Sequence, residues 1–307
     1  MGSASSAKRD GARRQKIAAQ RATARRIQVR HRILLAGGGT IAVIAAVVAL
    51  VLVNAGSGQG TAPASSEAPT GAALHGLVAD VTSVPASVLD AVGQGSLGSG
   101  ALTRVNGSAL TSGGKPELLY VGANFCPFCA AERWPLIIAL SRFGTFSGLS
   151  TTHSSTTDEY PGTPTFTFYG SSYQSKYLSF ASVEETTNYR QGNSASPDVP
   201  YVPLQTPTAA EQALLDKYDP GSDGNSIPFI DIGNKYVEIS NLPPYGPQDL
   251  SGKSWTQIAA ALRDPSTTIA QGADASANYL TAGICTLTGN QPASACTGAI
   301  QALEPGL

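Results

Sequence analysis

The sequence predicts a mixed α/β domain with a long insertion and a helical C-terminal extension, held at a membrane by a single N-terminal transmembrane helix. Three observations predict it. Residues 33–53 form an uncharged apolar run directly after a strongly basic segment. A short apolar strand pattern, Leu118 to Val121, leads into Cys126-Pro127-Phe128-Cys129 and then into an apolar helix pattern. Further on, Phe229 to Ile232 and Lys235 to Ile239 flank a Gly-Asn turn, a strand-turn-strand signature.

The N-terminal elements come first. Residues 1–32 carry ten of the twenty Lys and Arg and a single acid, Asp10, a net +9 that the rest of the chain offsets with −10. From Ile33 to Val53 there is no charge, and only Thr40 is polar. An apolar helix of about 20 residues spans the ~30 Å hydrocarbon core, so 33–53 fits a transmembrane anchor. Lys and Arg favour the cytoplasmic side, which places the N-terminus inside and the acidic bulk in an extracytoplasmic position. The basic segment is then expected to lie on anionic lipid headgroups. It has no interleaved aromatics, and no nucleic-acid partner is expected. The alternative is a cleaved signal peptide ending near Val53-Asn54-Ala55; signal h-regions are shorter, at about 7–15 residues. Residues 54–73 are rich in Gly, Ser, Ala, Thr and Pro, carry one charge, Glu67, and read as a flexible linker.

From residue 74 the chain can bury a core. Pro85 to Val92 reads as a short helix stopped by Gly93. The apolar run at 118–121 suits a buried strand. Ala130 to Phe143 is apolar on most faces, which predicts a helix buried against a sheet, bent by Pro135 and closed by Gly144. Thr165 to Tyr169 alternates with β-favouring residues and reads as a strand. Residues 170–226 show weak periodicity apart from a helix at 208–218, and are expected to be an insertion. Ser254 to Leu262 reads as an amphipathic helix capped by Ser254. Residues 265–307 form the helical extension with the second cysteine pair, Cys285 and Cys296.

The cysteine motif carries the chemistry. Two cysteines at i and i+3 opening a helix are close enough to bond and are chemically unequal. Cys126 meets unpaired backbone N–H groups and the helix dipole, both of which favour a thiolate. Pro127 suits the first helical position, where a missing N–H is harmless. Cys129, one turn inward, is the expected resolving thiol for a mixed disulfide on Cys126. Cys285 and Cys296 enclose a turn-rich loop; a structural disulfide is the expected role, with a redox relay or a four-cysteine zinc site as alternatives. The histidines, His31, His75 and His153, lack metal-ligand spacing and read as surface residues. Glu132 and Arg133 read as a solvated helix edge, with tuning of the thiols as the alternative. There is no Gly-rich phosphate loop and no esterase elbow. No metal and no cofactor is expected.

The motif and its context resemble thioredoxin-superfamily oxidoreductases. Pro127-Phe128 is similar to the Pro-Tyr of glutaredoxins and the Pro-His of the bacterial DsbA oxidants. More closely, Gly114-Lys115-Pro116-Glu117, the run from Cys129 to Trp134, Arg142-Phe143-Gly144, Ser226 to Asn234 and the late Cys285 and Cys296 look like a membrane-anchored domain of unknown function, family 929. The similarity covers roughly residues 75–300. It implies a thioredoxin-like fold, a central mixed sheet flanked by helices, over residues 74–264. It also implies a cis proline opposite the cysteines at the start of a strand, for which Ile227-Pro228 is the candidate and Thr163-Pro164 the competitor. The backbone of Ile227, with Pro228, Pro127 and Phe128, would then meet an extended client segment. Thioredoxins carry a buried Asp six residues before the first cysteine; Tyr120 stands there, which weakens a reductase reading. The expected function is thiol–disulfide exchange, oxidative in direction, on exported client proteins with cysteines, with a membrane redox partner recycling the pair. A non-catalytic binding or assembly module of the same fold is the alternative.

Overall fold

The computed structural model describes residues 67–98, 101–220, 225–239 and 244–307. The basic segment, the span at 33–53 and most of the expected linker lie outside them. Among the described residues no single helix is long and apolar enough to cross a membrane. Helix α1 (Gly71–Thr82) starts three residues inside the stretch expected as linker, 54–73. Leu77 and Val81, one turn apart, bury its inner face and anchor it to the core. Helix α2 (Ala86–Val92) follows, with Pro85 as its N-cap and Gly93 closing it at φ 57°.

Two short strands, β1 (Thr103–Arg104) and β2 (Thr111–Ser112), precede β3 (Lys115–Gly122), which runs into the cysteine motif and helix α3 (Pro127–Ser141). Strands β4 (Gly144–Ser147), β5 (Ser150–His153), β6 (Pro164–Thr167) and β7 (Ser172–Ser175) form two antiparallel ribbons, β4 with β7 and β5 with β6. The strand expected near Thr165 thus pairs outside the central sheet.

The expectation of an insertion at 170–226 is corrected by β8 (Ser179–Glu184). This strand pairs in parallel with β3, from Glu117 opposite Ser179 to Gly122 opposite Glu184. Its polar residues disguise it, because Glu184 is buried only by virtue of a partner on α3. Strands β9 (Thr186–Arg190) and β10 (Tyr201–Pro203) make a third ribbon, and helix α4 (Ala209–Tyr218) opens with a full capping box from Thr208 and Glu211. The hairpin β11 (Phe229–Ile232) and β12 (Tyr236–Ile239) turns at Gly233-Asn234, both at positive φ. The central sheet runs β1, β12, β11, β3, β8, antiparallel except for the β3–β8 pair, with β2 on the first residues of β3.

Side-chain alternation splits the core. Leu118 and Tyr120, with Ile230 and Ile232 from β11, face a large cluster built on Trp134, Ile137 and the C-terminal helices. Leu119 and Val121, with Phe229, Val237 and Val183, face Leu215 of α4. Helix α3 is buried along most of its length, so the lost hydrogen bond at Pro135 must be made good. The Tyr245 hydroxyl does this, donating to the Ala131 carbonyl at 3.1 Å.

Beyond the sheet come α5 (Pro247–Leu250), α6 (Trp255–Ala261), capped as expected by Ser254, and α7 (Ala275–Thr288), entered through a π turn at Ala270–Asp274. Cys285 at the end of α7 is bonded to Cys296 just before α8 (Gly298–Gln301). Arg142, at the end of α3, donates to the Ala295 carbonyl at 2.8 Å and ties this loop to the cysteine helix.

Candidate functional site

Strand β3 delivers the chain to the site. Two neighbours hold the turn that follows: Asn124 N–H donates to Thr186 O at 2.9 Å, and Ser155 N–H to Phe125 O at 2.8 Å. Cys126 is the N-cap of α3, and Pro127 takes the first helical position. The Cys129 N–H donates to Cys126 Sγ at 3.2 Å, a capping bond in which sulfur replaces the usual side-chain oxygen. Both cysteines are free thiols, Cys126 5% exposed and Cys129 fully buried.

The Ile227–Pro228 peptide is cis, and the competing Thr163–Pro164 is not among the cis bonds of the described residues. This bond sits at the entry to β11, beside β3, so the Ile227 carbonyl faces the motif and accepts from the Cys126 thiol at 3.8 Å. The second cis bond, Gln291–Pro292, lies in the disulfide loop and was not anticipated. Of the residues expected to meet a client, Ile227 and Phe128 are half-buried, whereas Pro127 and Pro228 are buried. The Phe128 ring stands edge-on to Tyr160 at 6.2 Å. Phe125 stacks on Tyr201 at 4.2 Å, and the Arg190 guanidinium covers the other ring system at 4.0 Å from the Tyr201 centroid. The Tyr201 hydroxyl in turn donates to Asp158 Oδ2 at 3.4 Å.

The two thiols differ in acidity. Burial alone would raise Cys126, but hydrogen bonding from the Cys129 side chain and backbone, with the charge of Arg133, outweighs it, and its pKa falls below the ordinary thiol value. Burial, then its hydrogen bond and charge coupling to Cys126, pushes Cys129 well above that value. The pair is therefore built as an acidic thiol that keeps a trace of exposure, backed by a fully buried, reluctant one.

Three features around them were not read from sequence. Glu132 and Arg133, expected at a solvated edge, are both fully buried. Arg133 makes a bidentate ion pair with Glu184, Nε to Oε1 at 2.8 Å and Nη2 to Oε2 at 2.6 Å. The signal was available in part: Arg133 lies four residues after Cys129, on the same face of a helix too apolar to be exposed. Tyr120 occupies the space left open by Gly122. A Cβ on Gly122 would lie 2.1 Å from the Tyr120 hydroxyl oxygen and 3.1 Å from Cys129 Sγ. That hydroxyl is buried without a hydrogen-bond partner, and burial, the dominant influence, holds its pKa well above the ordinary tyrosine value.

The remaining candidates lie apart. Cys285 and Cys296 are bonded to each other, so their sulfurs do not offer thiolates to a zinc ion. His75 is exposed on α1, His153 is engaged by Asn188, and His31 lies outside the described residues.

The family model of a domain of unknown function (DUF929) matches residues 101–286, a stretch that holds the CPFC motif, the Ile227–Pro228 hairpin and Cys285. No curated protein and no solved structure matches the chain.

Proposed function

This chain belongs to the DUF929 family, and we propose that it is a thiol–disulfide oxidoreductase that introduces disulfides into exported proteins. One observation carries the reading: the unequal acidity of Cys126 and Cys129 at the N-terminus of α3, with Cys126 facing the Ile227 carbonyl beside a cis proline. The mixed sheet, the strand–cysteines–helix order and that proline support a thioredoxin-like fold. The run at 33–53 supports a single-pass anchor with a cytoplasmic N-terminus and an extracytoplasmic domain.

In the oxidative cycle a client thiolate attacks Cys126 Sγ of the Cys126–Cys129 disulfide. The S–S bond breaks, its electron pair leaves on Cys129, and Cys129 takes up a proton, as its raised pKa favours. A second client thiolate then attacks the client sulfur of the mixed disulfide. Cys126 departs as a thiolate, and its lowered pKa makes it a good leaving group. The client has lost two electrons and the protein holds them as a dithiol, which a membrane redox partner must reoxidise. Tyr120 supports this direction. A reductase needs a base to take the proton from the buried thiol, and a phenol held in its neutral form is a donor instead. The exposed part of Ile227 and Phe128 is where an extended client segment would lie.

The test uses oxidised full-length protein and a reduced, unfolded disulfide protein as client. Client oxidation should proceed with wild type and be lost with Cys126→Ser. An unchanged rate with Cys126→Ser rules the oxidoreductase out and leaves a binding or assembly module.

A further inference from the structure

We propose that Arg133, seated by Glu184, is the positioning residue that makes the Cys126–Cys129 couple oxidising, by holding a positive charge against the thiolate form of the pair. The inference rests on the redox reading above and adds the group that sets the couple's equilibrium.

The geometry gives the ion pair a direction. Arg133 Nη2 donates both to Glu184 and, at 2.9 Å, to the Ala123 carbonyl. That carbonyl also accepts the Cys126 N–H at 3.2 Å, so the guanidinium is one residue-length from the motif's own turn. The carboxylate has one further donor: Glu184 Oε1, which takes the Arg133 Nε–H, also accepts the Phe168 N–H at 3.2 Å. Of the two, it is the cation that bonds the turn carrying the cysteines, while the carboxylate's bonds go to Arg133 and Phe168. Arg133 also lies over the Tyr120 ring, 5.8 Å from its centroid, and this ring carries the hydroxyl packed beside Cys129. Its Nη1 is buried without a partner, so part of the charge is left uncompensated by hydrogen bonds.

Stability does not account for this seat. A fully buried ion pair is often matched or bettered by apolar residues of similar volume. The consequence for redox chemistry is direct. The disulfide is neutral, whereas the reduced pair can ionise at Cys126, and the charge of Arg133 favours the thiolate form of both cysteines. A buried cation stabilises only the reduced state, and a stabilised reduced state is what makes a dithiol–disulfide couple a stronger oxidant.

The experiment equilibrates full-length protein with glutathione buffers: protein disulfide plus two glutathione thiols gives protein dithiol plus oxidised glutathione. The double variant Arg133→Met/Glu184→Leu removes both charges at similar volume and leaves no orphaned ion. It should reduce about tenfold less readily, a potential lower by about 30 mV for two electrons. The Cys126 thiolate, followed by its ultraviolet absorbance, should titrate about one pH unit higher. Glu184→Gln, which keeps the cation and removes its counter-charge, should shift both readouts the opposite way; a purely structural role would move both variants together. If the double variant keeps the wild-type constant and titration, the inference fails while the oxidoreductase reading stands. If wild type never equilibrates with glutathione, the oxidoreductase reading fails and the inference with it.

Discussion

Cys126 and Cys129 are one helical turn apart, yet their surroundings treat their protons in opposite ways, and Gly122 is the residue that allows it. Its missing side chain is filled by the Tyr120 hydroxyl, with Cys129 Sγ against the same space. Gly122→Ala places a methyl group 2.1 Å from that oxygen and 2.5 Å from the ring carbon bearing it, inside a sheet whose partners on both sides are fixed. Neither the backbone nor a fully buried ring can give that much, so the substitution should destabilise the domain by about 1–3 kcal/mol, the usual range for overpacking. It should also slow closure of the Cys126–Cys129 disulfide, because Cys129 lies 3.1 Å from the added atom. Urea unfolding and the rate of closure by oxidised glutathione measure the two effects. Adding Tyr120→Leu should restore much of the stability. An unchanged unfolding midpoint in Gly122→Ala would contradict the packing described.

At the scale of elements, the Cys285–Cys296 bond closes a short loop over the end of α3. Cross-linking a loop of this length contributes roughly 3 kcal/mol in the chain-entropy account. The double variant Cys285→Ala/Cys296→Ala should therefore lose about 2–4 kcal/mol in denaturant unfolding. Client oxidation by Cys126–Cys129 should continue at the wild-type rate below the new midpoint. Loss of oxidation in a still-folded variant would identify a relay instead of a staple. Elements whose signals are local were legible in sequence: the Pro85–Gly93 bracket, the Gly233-Asn234 turn, the Ser254 cap, the cysteine motif at a helix start. Strand β8 was not, because its pairing with β3 is parallel and distant, and its last residue is a glutamate. A buried Glu184 makes sense only once Arg133 is known to face it, and charged residues are otherwise read as surface. The same dependence hid Arg133, and with it the electrostatics of the site. Local pattern found the cysteines; tertiary pairing supplies what surrounds them.

At the scale of the whole molecule, the β11–β12 hairpin and the entry to α7 bring further acids into the core, and these contribute to how stability responds to pH. Asp274 is fully buried at the entry to α7, with no hydrogen-bond partner on either carboxyl oxygen. Burial raises its pKa from 3.8 to about 8. Burial, then the neighbouring Glu132, likewise pushes Glu238 well up, and burial takes Asp231 to about 6. All three shifts have one sign. Between the unfolded pKa near 4 and the higher folded value, the native state holds a proton that the unfolded chain has released. Stability therefore falls as pH rises through that window, to about 6 for Asp231 and about 8 for Asp274, and levels off above it. A protonated Asp274 carries a hydrogen-bond donor, and an amide in its place carries one too. Asp274→Asn keeps that donor and removes the ionisation. It should raise stability modestly at pH 5, just inside the window, and by more at pH 8, by an amount on the order of a few kcal/mol. Urea midpoints of the full-length protein at the two pH values measure this. Equal shifts at both, or an unaltered slope between them, would show that Asp274 does not hold its proton in the folded state.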